Sequence, residues 1–224
     1  STLIKVSTEA DLLQIGMLKV NPATAKFMLD HYVDLKPGDW VVQNAGNSAV
    51  GRYLIQLAKA KGVHSINIVR REGLEQELTE IGADLVLVEG EDLPEKVRAE
   101  LGDANIPLAI DAVAGKATLS RGGILSEEGT VVNYGLLSGE PCQLTADMVV
   151  FKGITLTGFW LAKTLGAMTA EAKQQLYGEL ESLVASGKIS TPVEATYHLG
   201  QLEEALRHAY RGGRSGKILF TPNG

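Results

Sequence analysis

A chain of 224 residues with 45% hydrophobic content is long enough to bury a sizeable core, as one large domain or one domain with an incomplete second. Its 21 Lys and Arg against 27 Asp and Glu leave a net charge of −6 with no basic run, which argues against nucleic-acid and membrane-surface partners. The single Cys142 excludes an internal disulfide and, with four scattered histidines, offers no closed zinc cluster; no stretch reaches the roughly 18 apolar residues of a membrane span, and the start lacks a signal-peptide profile. A reducing compartment is expected, the cytoplasm or, in a eukaryote, the mitochondrial matrix.

In chain order, Asn21 and Pro22 read as N-cap and first residue of a helix ending near Asp30, and Lys36-Pro-Gly-Asp39 as a turn. An apolar strand over 39–44 leads into a small-residue loop over 45–51. A helix then runs through Lys61, with Val50, Leu54, Leu57 and Ala58 on one face, Arg52, Gln56 and Lys59 facing water, and Gly62 as the stop. A second strand leads to Arg70. Further strands are expected at 84–88, 108–112 and 130–134, separated by helices near 74–81 and 94–101. Continuous apolar strands alternating with helices imply an α/β fold, a doubly wound parallel sheet of the Rossmann type. Residues 151–160 read as an edge strand. A long helix follows, with Thr169 as N-cap and Gly187 as stop, then a helix near 202–211 and a strand at 217–220.

The chemistry concentrates in two places. Gly46, Ser48 and Gly51 occupy the three fixed positions of the G-x-G-x-x-G pattern, with serine where the second glycine stands. Such a loop brings backbone amides and a helix N-terminus close to a pyrophosphate, and the Ser48 hydroxyl can donate to a phosphate oxygen. Arg70 stands 70 − 51 = 19 positions after Gly51 and is followed by Arg71. About 20 residues beyond the loop, NAD-binding units place a carboxylate on the ribose 2′-hydroxyl, whereas arginine suits a 2′-phosphate. The pair therefore points to NADPH. Read without each other, the loop is equally an ordinary turn and the arginines a solvated pair beside Glu72.

These and other runs resemble the zinc-free branch of the medium-chain dehydrogenase/reductase superfamily, and within it the trans-2-enoyl-thioester reductases of fatty acid synthesis. The matching runs are Leu18-Lys-Val-Asn-Pro-Ala-Thr-Ala25, Gln43-Asn-Ala-Gly-Asn-Ser-Ala-Val-Gly51, Ile66-Asn-Ile-Val-Arg70, Asn133-Tyr-Gly135, Phe151-Lys-Gly153, Gly158-Phe-Trp-Leu161 and Ser215-Gly-Lys-Ile218. They keep the family's order over nearly the whole chain, with Ala49 replacing the usual glycine. The resemblance implies that Asn21 lies beside the nicotinamide and that Gly46, Asn47, Ser48, Ala49, Val50 and Gly51 wrap the pyrophosphate. It implies that Arg70 and Arg71 take the 2′-phosphate and that Tyr134 and Gly135 end the fifth strand against the cofactor. Phe159, Trp160 and Leu161 would border nicotinamide and substrate, and Lys217 would reach the cofactor from the C-terminal segment. On spacing alone Asn21 is a helix cap, Phe159 and Trp160 are packing aromatics, and Lys217 is a solvated lysine.

The resemblance further implies NADPH-dependent reduction of a 2-enoyl thioester, an acyl thioester as small-molecule partner, and a homodimer formed through the 154–160 edge strand, which a proline at Thr157 should weaken. Residues 1–22 would be a linker and remnant of a catalytic domain, 23–165 the NADPH-binding domain, and 166–224 the segments returning toward the catalytic domain. The family's tyrosine proton donor has no counterpart among the six tyrosines, and the zinc enzymes' ligand cysteine is missing near Val20 and Asn21. Neither a catalytic residue nor a metal ligand is therefore expected in this chain, which by itself should hold cofactor without turnover. An NADPH:quinone oxidoreductase of the same superfamily and a non-catalytic NADPH-binding module are the alternatives.

Overall fold

The computed structural model describes residues 4–6 and 11–221. Ten α-helices and eight strands are formed among them: α1 (Leu12–Gly16), α2 (Asn21–Asp30), β1 (Trp40–Gln43), α3 (Ala49–Ala60), β2 (His64–Val69), α4 (Glu75–Glu80), β3 (Leu85–Val88), α5 (Leu93–Leu101) and β4 (Leu108–Asp111) in the first half. The second half holds α6 (Lys116–Ile124), β5 (Thr130–Asn133), α7 (Ala146–Val150), β6 (Thr155–Gly158), α8 (Leu161–Ala167), α9 (Ala170–Ala185), β7 (Val193–Tyr197), α10 (Leu202–Tyr210) and β8 (Lys217–Phe220). Six strands form one sheet in the order β3-β2-β1-β4-β5-β6, every pairing parallel. Strand order reverses between β1 and β4, and in open parallel sheets that switch opens a crevice at the carboxyl ends of the strands.

Side chains alternate across the sheet, and each face is covered. Val41, Leu108, Ile110 and Val132 point into a core built with Met28, Leu29, Tyr53, Leu54, Leu176 and Leu180 of α2, α3 and α9. Their neighbours Val42, Ala109 and Val131 point the other way, onto Leu93, Val97 and Ile124 of α5 and α6. Burial on both faces is why these strands read as continuous apolar runs. Helix α9 joins the same core as α2 and α3, and the Tyr177 hydroxyl donates to Lys19 O at 2.9 Å. β7 and β8 pair with each other in a separate two-stranded sheet.

Three local expectations are corrected. Asn21 is the first residue of α2, not its cap: Val20 holds the N-cap position with helical dihedrals and no side-chain cap. Arg52 and Gln56 are buried instead of facing water. Arg52 pairs with Glu77, and Gln56 exchanges hydrogen bonds with the backbone of Ser190, donating to its carbonyl at 2.9 Å and accepting from its amide at 2.8 Å. Distant partners cover that face of α3, which local periodicity does not report. Third, Thr155 and Phe159 donate their amides inward to Gly129 O and Asn133 O. Thr157, between them at the same two-residue period, also faces β5, so the outward amides of β6 belong to Leu156 and Gly158.

Candidate functional site

The loop between β1 and α3 is held in shape by its own small residues. Ala45 takes a positive φ of 51°, and Ser48 caps α3 by accepting from the Gly51 amide at 3.1 Å. A Cβ on Gly51 would stand 2.5 Å from Gly46 O and 2.7 Å from Ala45 O. Only glycine lets the helix come this close to the loop. The remaining first-turn amides have no intrahelical partner and carry the positive end of the helix dipole, which favours an anion there.

Beneath the loop lies a buried polar network that the sequence reading missed. Asp111, at the end of β4, accepts from Asn44 Nδ2 at 2.6 Å, Thr118 Oγ1 at 2.6 Å, Val113 N at 2.9 Å and Ala114 N at 3.1 Å. Burial pushes its pKa up, but these hydrogen bonds outweigh it and hold the carboxyl below its ordinary value of 3.8. Asn44 also accepts from Ala112 N at 2.7 Å, which ties the loop's first residue to the β4 exit. Gln43 donates to Gly51 O at 2.9 Å and to Asn67 Oδ1 at 2.7 Å, fixing α3 to β1 and β2. The signal for all of this was polar residues at the ends of otherwise apolar central strands.

A cleft of about 1370 Å³ opens over the carboxyl edge of the sheet. Among the expected site residues, Asn47, Ser48, Ala49, Arg70, Arg71 and Lys217 line it. Arg70 and Arg71 are exposed and, among the described residues, make no ion pair. From the opposite wall the 211–217 loop contributes Arg211 and Arg214 beside Lys217, two cations that the sequence reading did not single out. A Cβ on Gly213 would stand 3.7 Å from Arg71 Nη1, so loop and arginine face each other closely. Burial, and then the neighbouring Arg214 charge, lower the Lys217 pKa from its ordinary value.

The other expected residues lie around or beyond that lining. Gly46, Val50 and Gly51 form the loop's backbone and the first helical turn. Burial raises the Tyr134 hydroxyl to about 12, partly opposed by a hydrogen bond with Ser48 and supported by the Asp111 charge, so it stays a protonated donor beside the loop. Gly135 is packed against Ala112, whose carbonyl would be 2.6 Å from an added Cβ. Asn21, at the start of α2, and Phe159, Trp160 and Leu161, at the β6–α8 junction, lie outside that lining. There Phe159 lies 6.1 Å from Phe27 between ring centroids, Tyr32 donates to Gly158 O at 3.0 Å, and Trp160 is 71% exposed. The Asn21 side chain, freed from a capping role, has no hydrogen-bond partner among the described residues.

No group of three or more His, Cys, Asp or Glu side chains able to hold a metal occurs among the described residues. Nor, among them, is any helix long and apolar enough to cross a membrane.

Comparison with known proteins gives three findings. A profile of the family described as zinc-binding dehydrogenase matches residues 49–182. The mitochondrial enoyl-[acyl-carrier-protein] reductase of Dictyostelium discoideum is 33% identical, with 97% of this chain and 63% of that protein covered. The chain thus spans about three fifths of the length of the curated relatives it matches. Among solved structures, the Etr1p/NADP/crotonyl-CoA complex superposes with a TM-score of 0.84 at 29% identity, covering 94% of this chain and 62% of that one. A mycobacterial quinone oxidoreductase superposes at 0.88 with 23% identity, covering 96% and 66%, a likeness of fold alone.

Proposed function

The chain belongs to the zinc-binding dehydrogenase family, and from that premise we propose that it is the NADPH-binding portion of an oxidoreductase that reduces the carbon–carbon double bond of a 2-enoyl thioester. The observation that carries this reading is the cleft. A glycine-dependent loop and helix N-terminus form one end of it, and two arginines without carboxylate partners stand about 20 residues further along. The residues fit the cofactor: loop amides and Ser48 for the pyrophosphate, guanidinium groups for bidentate contact with a 2′-phosphate, and Asn21 with Phe159, Trp160 and Leu161 for the nicotinamide end. When bound, NADPH supplies the hydride. The chain's own task is to hold and orient it, excluding water with the Phe159 and Trp160 surfaces. The named relative and the crotonyl-CoA complex support an enoyl thioester over a quinone as substrate.

Among the described residues no group of three or more His, Cys, Asp or Glu side chains could hold a zinc ion, and no metal is proposed for this chain. In this reading residues 23–165 form the NADPH-binding domain, and 1–22 and 166–224 connect it to a catalytic part that brings the proton donor. The exposed face of α10 with Leu202, Leu206 and Tyr210 is an apolar surface for that part. A reducing compartment, cytoplasm or mitochondrial matrix, suits the single free thiol. The reading also includes a homodimer that continues the sheet across β6. Leu156 is 39% exposed there, and residues 154–160 carry no charge and no proline to deter pairing.

Calorimetric titration tests the cofactor assignment. The chain should bind NADPH at least about tenfold more tightly than NADH, a difference of about 1.4 kcal/mol that one charge-assisted hydrogen bond can supply. Arg70→Ala should shrink the ratio, and equal affinities for the two cofactors would refute the assignment. With NADPH and crotonyl-CoA the chain alone should show no loss of nicotinamide absorbance above the protein-free control. The complete protein should turn over crotonyl-CoA in preference to a quinone.

A further inference from the structure

The wall of the cleft formed by residues 211–217 is secured by a side chain that lies outside the cleft. Glu194, on β7, accepts through Oε2 from Ser215 N at 2.6 Å, Gly216 N at 3.2 Å and Ser215 Oγ at 3.2 Å. Its other oxygen is 2.7 Å from His208 Nε2 on α10, and His208 Nδ1 is 2.8 Å from the Tyr197 hydroxyl. The neutral tautomer satisfies the whole chain: Tyr197 donates to Nδ1, and Nε2–H donates to Glu194. Behind the loop, Lys217 N donates to Pro192 O at 2.8 Å. A Cβ on Gly216 would stand 2.7 Å from Glu194 N and 2.8 Å from Pro192 O, so the loop lies against β7 with no room to spare.

The consequence concerns where the loop's cations stand. Arg211, Arg214 and Lys217 are carried by a segment that is neither helix nor strand until Lys217 begins β8. Two consecutive backbone amides bound by one carboxylate oxygen define that segment's path, and through it the distance between these cations and the phosphate loop across the cleft. We propose that Glu194, oriented by the Tyr197–His208 relay, is a positioning residue for NADPH binding. It touches no cofactor atom and acts by fixing the cationic 211–217 loop. The inference rests on the NADPH reading above. Hydrogen bonds from His208 and from the Ser215 amide, against the opposing effect of burial, hold the Glu194 carboxyl down at about 2, so it remains an anion across the pH range in which the protein would work.

The test is NADPH titration of the 224-residue chain and three variants, with folding followed by circular dichroism. Glu194→Ala should raise the NADPH dissociation constant at least about tenfold. Glu194→Gln keeps an oxygen to accept from Ser215 and Gly216, and His208 can take its other tautomer toward the new amide, so affinity should return to within about threefold of the unmodified chain. Gly216→Ala, which pushes the loop away from β7 with Glu194 intact, should reproduce the loss, and it carries the test if Glu194→Ala does not fold. Unchanged affinity in Glu194→Ala or Gly216→Ala, with the Ser215 and Gly216 amides exchanging faster with solvent, overturns the inference and leaves the cofactor reading standing. Failure of the unmodified chain to bind NADPH overturns the reading itself, and this inference with it.

Discussion

The Tyr53 hydroxyl sits in the core between α3 and the sheet with no hydrogen-bond partner among the described residues, and burial raises its pKa to about 12. A buried donor without an acceptor costs roughly 1–3 kcal/mol, whereas the ring packs as phenylalanine would. Tyr53→Phe should therefore stabilise the chain, raising the thermal midpoint by about 2–4 °C for each kcal/mol in a protein of this size. A lower midpoint would show that the hydroxyl has a partner. Asp111 is the opposite case. Its folded pKa is lowered, so the stability it contributes is present above about pH 3.8 and is lost as pH falls through the lower folded value. Asp111→Asn should cost about 1.5–3 kcal/mol at neutral pH, measured by urea unfolding, and should flatten the acid limb of the stability profile. Residues of this kind were the least legible in the sequence. Gly51, Arg70 and Arg71 could be singled out because the roles proposed for them depend on local sequence and a fixed spacing. Asp111, Arg52 and Gln56 could not, because a partner of each comes from another element: Asn44 for Asp111, Glu77 for Arg52 and, 134 positions away, Ser190 for Gln56.

Helix α3 combines packing and chemistry in one element. Its inner face is locked to α2 and the sheet by Tyr53, Leu54 and Leu57, and its first turn abuts the loop at Gly51. Gly51→Ala would force the helix and loop apart by the missing space, an overpacking cost of about 1–3 kcal/mol. It should also weaken NADPH binding, because the amides proposed to face the pyrophosphate move with the helix. Urea unfolding and calorimetry on the same variant check both, and full affinity at lowered stability would detach the loop from the site. Elements with a continuous apolar strand pattern or a strong amphipathic face, β1 to β5 and α3, were readable to within a residue or two. β7 was not: Val-Glu-Ala-Thr-Tyr does alternate, but it is a single five-residue strand, half-buried at most, that pairs only with β8. α6 was hidden as well. It contains Gly122 and Gly123 and buries Arg121 against Glu89 at 2.6 Å, an inward charge that helical periodicity reads as outward.

At the scale of the molecule the sheet ends in two edge strands, β3 and β6, and the direction of the β6 amides decides how the proposed dimer can be tested. A proline at Thr157 would remove an amide that points toward β5 and would damage the fold itself. Leu156→Pro removes an outward amide and an exposed apolar side chain, so it should shift a dimer toward monomer in sedimentation equilibrium while leaving the secondary structure in place. A dimer indifferent to Leu156→Pro would lie on another surface, and an unmodified chain that stays monomeric at tens of micromolar would remove the dimer from the reading. The opposite flank of the molecule is joined in an unusual way. Gln14 and Gln56 each clasp one residue of the strand entry, Thr191 and Ser190, by both its amide and its carbonyl, as a neighbouring strand would. These side chains act as rungs between α1, α3 and the start of β7. Since Gln56 stands eight residues from the Ser48 cap, about 12 Å along the axis, α3 works as a short rigid lever: whatever tugs on β7 also tugs on the turn that faces the cleft.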